Sequence, residues 1–206
     1  MPEVIGALAG SGTPLSILTK GTLLRRDLPL LEDAAREVPV SLAVSIAVLD
    51  DELQQSLEPG TPTARARLDL VRAIRDAGLP VHVMVAPVLP WLTDSTDHLD
   101  RLFAALADAG AQRATVLPLH LRPGAREWFL AWLTRERPDL VAGYQRVYGR
   151  GSYAHAEYRA WLAARAAPLL SRHGLDRRRR DDEDLRWGRA TADAHPVAAE
   201  VQPSLF

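Results

Sequence analysis

Cysteine is absent from the 206 residues. Its absence excludes disulfide bonds, thiolate zinc sites and any iron–sulfur cluster held by cysteines of this chain alone. Lysine is almost absent too. Of 25 basic residues, all are arginine except Lys20. A lysine offers a compact ammonium where an arginine offers a planar fork, so the place of that one residue is worth locating. No apolar run approaches the ~20 residues needed to span a bilayer. The start, Met1-Pro2-Glu3-Val4, lacks the basic segment of a secretory signal. A cytoplasmic protein with no membrane partner is therefore expected. Neither sign of charge dominates, and the net charge of −1 speaks against a generally basic nucleic-acid-binding surface, a local patch aside. There is also no Gly-x-Ser-x-Gly elbow, no Walker-type phosphate loop and no His-Glu-x-x-His zinc motif.

What the chain does contain is a repeated phrase: a short β-branched run, a turn, an amphipathic helix and a Gly or Pro break. Strands are expected at Leu15 to Thr19, Val40 to Ala47, Val81 to Ala86 and Ala114 to Leu119, with helices near 27–37, 63–77 and 95–109. Leu99, Leu102, Phe103 and Leu106 fall at i, i+3, i+4 and i+7 of the third helix. Two helices close on Asp-Ala-Gly, with Gly78 and Gly110 placed to take the left-handed cap. Strands alternating with helices argue for right-handed βαβ units and a parallel sheet. Ahead of the first strand, Val4, Ile5 and Leu8 form a helix whose own strand is missing, either a sign of truncation or a simple helical extension. After Pro123 two aromatic helical clusters, Trp128/Phe129/Trp132/Leu133 and Tyr158/Trp161/Leu162/Leu169/Leu170, are expected to pack in a core. From Asp176 a run of Arg177 to Arg180 against Asp181 to Asp184 leads into an Ala-rich polar tail, which fits a solvated linker and disorder. The division expected is 1–122, 123–175 and 176–206.

In parallel α/β folds ligands gather at the C-terminal ends of the strands. Lys20 directly follows the first strand, and Ser45 lies near the end of the second. Alternation there separates Leu42, Val44 and Ile46 from Ser41, Ala43, Ser45 and Ala47, so the small face leaves room for a ligand. Adjacent strands are ~4.8 Å apart, near enough for Lys20 and Ser45 to meet one small polar molecule; the plain alternative is a solvated lysine opening a loop. His82 and Met84 suit interior packing. Asp50-Asp51-Glu52 suits the acidic first turn of a helix better than a cation site. His120 and Arg122, at the end of the fourth strand, suit either an anionic or aromatic substrate or a surface turn.

Several segments taken in order resemble the radical S-adenosylmethionine (SAM, AdoMet) proteins related to spore photoproduct lyase. They are Thr19-Lys20, Ser41 to Ile46 with Leu49-Asp50, Leu57-Glu58-Pro59-Gly60-Thr61, and Val85-Ala86-Pro87-Val88. His120-Leu121-Arg122-Pro123-Gly124-Ala125-Arg126-Glu127-Trp128 and the stretch to Tyr148 are similar to a group of uncharacterised bacterial members. The resemblance runs from about residue 4 to about residue 172. It implies a partial (β/α) barrel with a C-terminal helical extension, bearing a 4Fe–4S cluster and AdoMet. It also implies reductive cleavage of AdoMet to methionine and a 5′-deoxyadenosyl radical, with DNA as a candidate substrate. By position, Lys20 resembles the lysine that meets the AdoMet carboxylate, and Ser45 the small polar residue beside the methionine or ribose. Ala86 and Pro87 lie where the barrel approaches the nucleoside. The family's Cys-x3-Cys-x2-Cys loop has no counterpart here, so this chain alone is expected to be inactive.

Two other readings stand beside the enzyme. The final Gln202-Pro203-Ser204-Leu205-Phe206 resembles the peptide by which bacterial polymerases and repair proteins dock on the DNA sliding clamp, with Gln202, Leu205 and Phe206 as anchors and Pro203 departing from the usual Leu. A non-catalytic protein binding the clamp as its partner is therefore the alternative. A small α/β protein binding a phosphate metabolite is the third reading, and the lack of a Gly-rich loop counts against it.

Overall fold

A computed structural model of the chain describes residues 1–176. The charged run from Arg177 and the residues Gln202, Leu205 and Phe206 lie outside them. The chain opens with α1 (Pro2–Gly10), followed by β1 (Leu15–Thr19), a 3-10 turn (Thr22–Asp27) and α2 (Leu28–Glu37). Next come β2 (Val40–Ser45), α3 (Asp51–Leu57), α4 (Ala64–Asp76), β3 (Val81–Val88), α5 (Thr96–Ala109) and β4 (Arg113–Pro118). Then α6 (Ala125–Glu136), a short 3-10 turn (Pro138–Leu140), α7 (Val141–Tyr148) and α8 (Ala156–Arg172) complete the described chain.

The four strands form one parallel sheet in the order β1-β2-β3-β4. Thr19 is aligned with Val44, Val44 with Val83, and Val83 with Ala114. Alternation decides what each face meets. Val40, Leu42, Val44, Val81, Val83 and Val85 are buried against the helices, among them Leu31, Leu70, Val71, Ile74, Leu99, Leu102, Phe103 and Leu106. The expected α/β architecture with a parallel sheet is therefore present. The opposite face carries Ser16, Leu18, Ser41, Ala43, Ser45, His82, Met84, Thr115 and Leu117. Leu18 and Leu117 are 61% and 45% exposed.

Local chemistry accounts for the boundaries. Asp50 caps α3 by accepting from Leu53 N–H at 2.7 Å, with Asp51 and Glu52 in the first turn where the helix dipole favours anions. Thr63 and Ser95 cap α4 and α5 in the same way. Gly110 closes α5 at φ +91°, while its neighbour Ala111 N–H returns to Leu106 carbonyl at 3.0 Å. Strand β2 stops at Ser45, two residues short of the expected Ala47, although Ile46 N–H still donates to Met84 carbonyl. Strand β3 runs on through Pro87, which has no N–H to give, and the β3–β4 register is irregular between Val85 and Val88.

The helices after β4 pack on the strand ends and on α5. Tyr144 hydroxyl donates to Pro90 carbonyl at 3.0 Å, Tyr148 to Leu119 carbonyl at 2.8 Å, and Tyr158 to Asp94 Oδ2 at 2.9 Å. Trp132 Nε1–H donates to Ser56 Oγ, joining α6 to α3. The aromatic clusters divide differently from the expectation. Phe129, Trp132, Tyr158 and Leu162 are buried, but Trp128 and Trp161 are half exposed, the latter with the Arg165 guanidinium 4.0 Å over its ring. No helix among the described residues is long and apolar enough to cross a membrane.

Candidate functional site

Lys20 leaves the end of β1 and its ammonium pairs with Glu58 Oε1. Glu58 follows the last turn of α3, and its other oxygen accepts from Arg67 Nη2 at 2.7 Å. Arg67, on α4, is 3% exposed. Its remaining bonds run from Nη1 to Ser45 carbonyl at 3.0 Å, from Nε to Pro62 carbonyl at 2.9 Å, and from Nη2 to Thr61 Oγ1 at 2.8 Å. Thr61 hydroxyl in turn donates to Glu58 carbonyl and accepts from Gln54 Nε2. One buried guanidinium thus ties the Glu58–Pro62 loop to the end of β2, and Glu58 ties that loop to the end of β1.

Burial pushes the Glu58 carboxyl up, but hydrogen bonds and charge from Lys20 and Arg67 outweigh it and hold the group below its ordinary value. Two cations share one anion, so the cluster keeps a positive charge. Lys20 spends one of its three donors on protein. Its side chain is 41% exposed.

Ser45 lies beside this network through its own backbone carbonyl, while its hydroxyl donates to Ala86 carbonyl at 3.0 Å. Ala86 and Pro87 are joined by a cis peptide bond. Lys20, Ser45, Ala86 and Pro87 are therefore linked through one polar network at the C-terminal ends of β1, β2 and β3. Behind them on the open face, Ser45 is registered with Met84 and Met84 with Thr115, and Ala43 with His82. His82 Nε2 lies 3.3 Å from Thr115 Oγ1, and burial followed by the charge of Arg113 lowers its pKa. Met84 is half-buried on that face and is absent from the core where the sequence placed it.

His120 and Arg122 stand apart from this network, past the end of β4. His120 forms an isolated bridge with Tyr153, and the two rings stack at 4.1 Å and 15°. Tyr153 is 66% exposed. Arg122 is exposed. Arg126 Nη1 and Nη2 hold the turn beneath by donating to Gly151 and Gly149 carbonyls at 2.6 Å.

Sequence reading missed Glu58's partner and Tyr153. Arg67 had a visible signal, since Ala64, Arg67, Leu68, Val71 and Ile74 share one helical stripe and a charge in that stripe must be paired. Tyr153 had none, because its contact with His120 depends on how the chain returns after α7.

The donor chemistry fits AdoMet: an ammonium that has one hydrogen bond among the described residues has donors to offer a carboxylate, and Ala43, Ser45 and Ala86 are small. It does not fit an iron–sulfur cluster. The chain has no thiolate, and among the described residues no group of three or more His, Cys, Asp or Glu is placed to hold a metal ion.

An uncharacterised protein of Mycobacterium tuberculosis is 60% identical over 175 residues, covering 85% of this chain and 52% of the relative. One from Mycobacterium bovis matches to the same extent. The chain thus spans about half the length of these relatives. Among solved structures, a spore photoproduct lyase complexed with dinucleoside spore photoproduct superposes with a TM-score of 0.62 at 19% identity, over 84% of this chain and 52% of the other. A variant of that lyase with bound AdoMet and the dinucleoside superposes equally well. At this identity the likeness speaks for the fold. The model of the radical SAM superfamily matches residues 3–112, which take in all of β1, β2 and β3 with the helices between them. The chain belongs to the radical SAM superfamily.

Proposed function

We propose that this chain forms the AdoMet-facing part of a radical SAM enzyme and that the cluster thiolates come from outside these 206 residues. In this reading Lys20 holds the carboxylate of AdoMet, Ser45 lies beside its methionine or ribose, and Ala86 and Pro87 meet the nucleoside. AdoMet bound here would supply radical chemistry once a reduced cluster is provided, and the residues described here would bind and orient it. The observation that carries the reading is the pairing of Lys20, Glu58 and Arg67 at the strand ends, inside the stretch matched by the superfamily.

Substrate, on the same proposal, approaches past β4. An exposed His120–Tyr153 stack beside Arg122 offers a flat surface with a guanidinium nearby, the chemistry that suits a nucleobase and its phosphate. A lyase acting on DNA is the finer form of the proposal, supported by the fold shared with the photoproduct lyase. Calorimetric titration tests the cofactor part. Replacing Lys20→Ala removes a charge-assisted contact and is expected to weaken AdoMet binding by about one to two decades, with the circular dichroism of the fold unchanged. Equal affinity in both proteins would remove Lys20 from the site.

A further inference from the structure

We infer that Glu58, braced by Arg67, is the positioning residue that holds the Lys20 ammonium in place for a ligand carboxylate. The inference takes the ligand from the AdoMet reading above and the geometry from the protein alone.

A lysine side chain is long and flexible, and Lys20 is the half-exposed member of the cluster. Left to itself it would sample many rotamers in water. Glu58 removes that freedom by binding the ammonium with one oxygen. A carboxylate that moved with the lysine would position nothing, but Glu58 cannot move freely. Its other oxygen is bound to Arg67, which also donates to Ser45, Thr61 and Pro62. The ammonium is thereby referred to the end of β2, where Ser45 stands.

Charge points the same way. Glu58 alone would neutralise Lys20 and repel an incoming carboxylate. Arg67 restores the positive balance from a buried position, where its charge is little screened by water. The residue type also has a reason. In a chain that otherwise uses arginine at every basic position, a guanidinium at residue 20 would tend to close bidentately on Glu58. An ammonium bound through one N–H keeps two donors for a ligand.

A purely structural brace would look similar, so the test must separate the two. AdoMet and its decarboxylated analogue are titrated into the wild-type chain and into Glu58→Gln. The expected result is a loss of about tenfold for AdoMet, the size of one weakened charge-assisted bond, and no change for the analogue. Equal losses for both ligands, or no loss for either, would overturn the inference. A wild-type chain that binds both ligands alike would instead count against the AdoMet reading. The positioning role is then decided by Lys20 itself: isotope-labelled lysine gives one side-chain NMR signal, because the chain has one lysine. That signal is expected to relax as a restrained group in the wild type and as a free one in Glu58→Gln. Free motion in the wild type refutes the role, even if the variant does not fold.

Discussion

A guanidinium that is 3% exposed has lost most of its water, a loss of several kcal/mol for an ion unless hydrogen bonds and a counter-charge replace it. Arg67 replaces it with four hydrogen bonds, one of them to an anion. A buried histidine is pushed the other way, toward its neutral form. His98 is 8% exposed, and its Nε2–H donates to Ala47 carbonyl at 3.2 Å. Burial lowers its pKa most; the bond to Ala47 works against this, and Arg101 adds to it. The unfolded chain therefore takes up this proton at a higher pH than the folded one. The stability linked to His98 is complete above the ordinary histidine value of about 6.5 and is lost as pH falls toward the lower folded value. His82, also lowered, acts in the same direction. Melting followed between about pH 7.5 and pH 5.5 should show a falling midpoint over a range where ordinary carboxylates stay ionised. In His98→Gln the fall should be smaller. An identical slope in the variant would assign the effect elsewhere.

Helices α7 and α8 are held by tyrosines to the loops that follow β3 and β4. Tyr144 and Tyr148 donate to the carbonyls of Pro90 and Leu119, while Tyr158 donates to the carboxylate of Asp94, itself 6% exposed. Burial, with the Asp94 charge next, pushes the Tyr158 phenol far above its ordinary range, so it serves as a donor at all working pH. Removing a hydroxyl leaves the buried acceptor unpaired. Tyr158→Phe should cost about 1.5–3 kcal/mol, because its acceptor is charged, and Tyr144→Phe about 1 kcal/mol. Urea unfolding monitored by tryptophan fluorescence would give both values, and a reversed order would contradict this account. These bonds were not legible in the sequence. Period and cap chemistry placed α5 and the strand β1 closely, because local residues decide them. The partners of Tyr144 and Tyr158 lie 54 and 64 residues away and depend on the packing. The same limit explains the tryptophans: the apolar spacing of α6 was plain, but which edge of that stripe faced water depended on its neighbour. Phe129 and Trp132 turned inward, and Trp128 did not.

At the scale of the molecule, the parallel architecture was readable because each βα unit repeats the same pattern. The polar cluster was only half readable. Lys20 and Ser45 stood out by their place at strand ends, whereas Glu58 and Arg67 acquire meaning only when the loop folds back between them. Beyond the described residues, the sequence motif at Gln202, Leu205 and Phe206 has its own test. A peptide spanning residues 190–206 should bind a purified bacterial sliding clamp with a dissociation constant of roughly micromolar order, and alanine at Leu205 and Phe206 should abolish it. Absence of binding would remove the clamp as a partner of this motif.

The sheet has one further property. Its strands lie in space in the order in which they occur along the chain, so no later strand has to insert between two earlier ones. Each new pairing closes a connection that holds at most two helical segments, and the entropy of closure grows only slowly over such lengths. Contacts between neighbouring units also keep the contact order below that of a sheet with long-range crossovers. A chain emerging from the ribosome can lay down β1, then β2, then β3 as each is made, with every addition docking on a platform already formed.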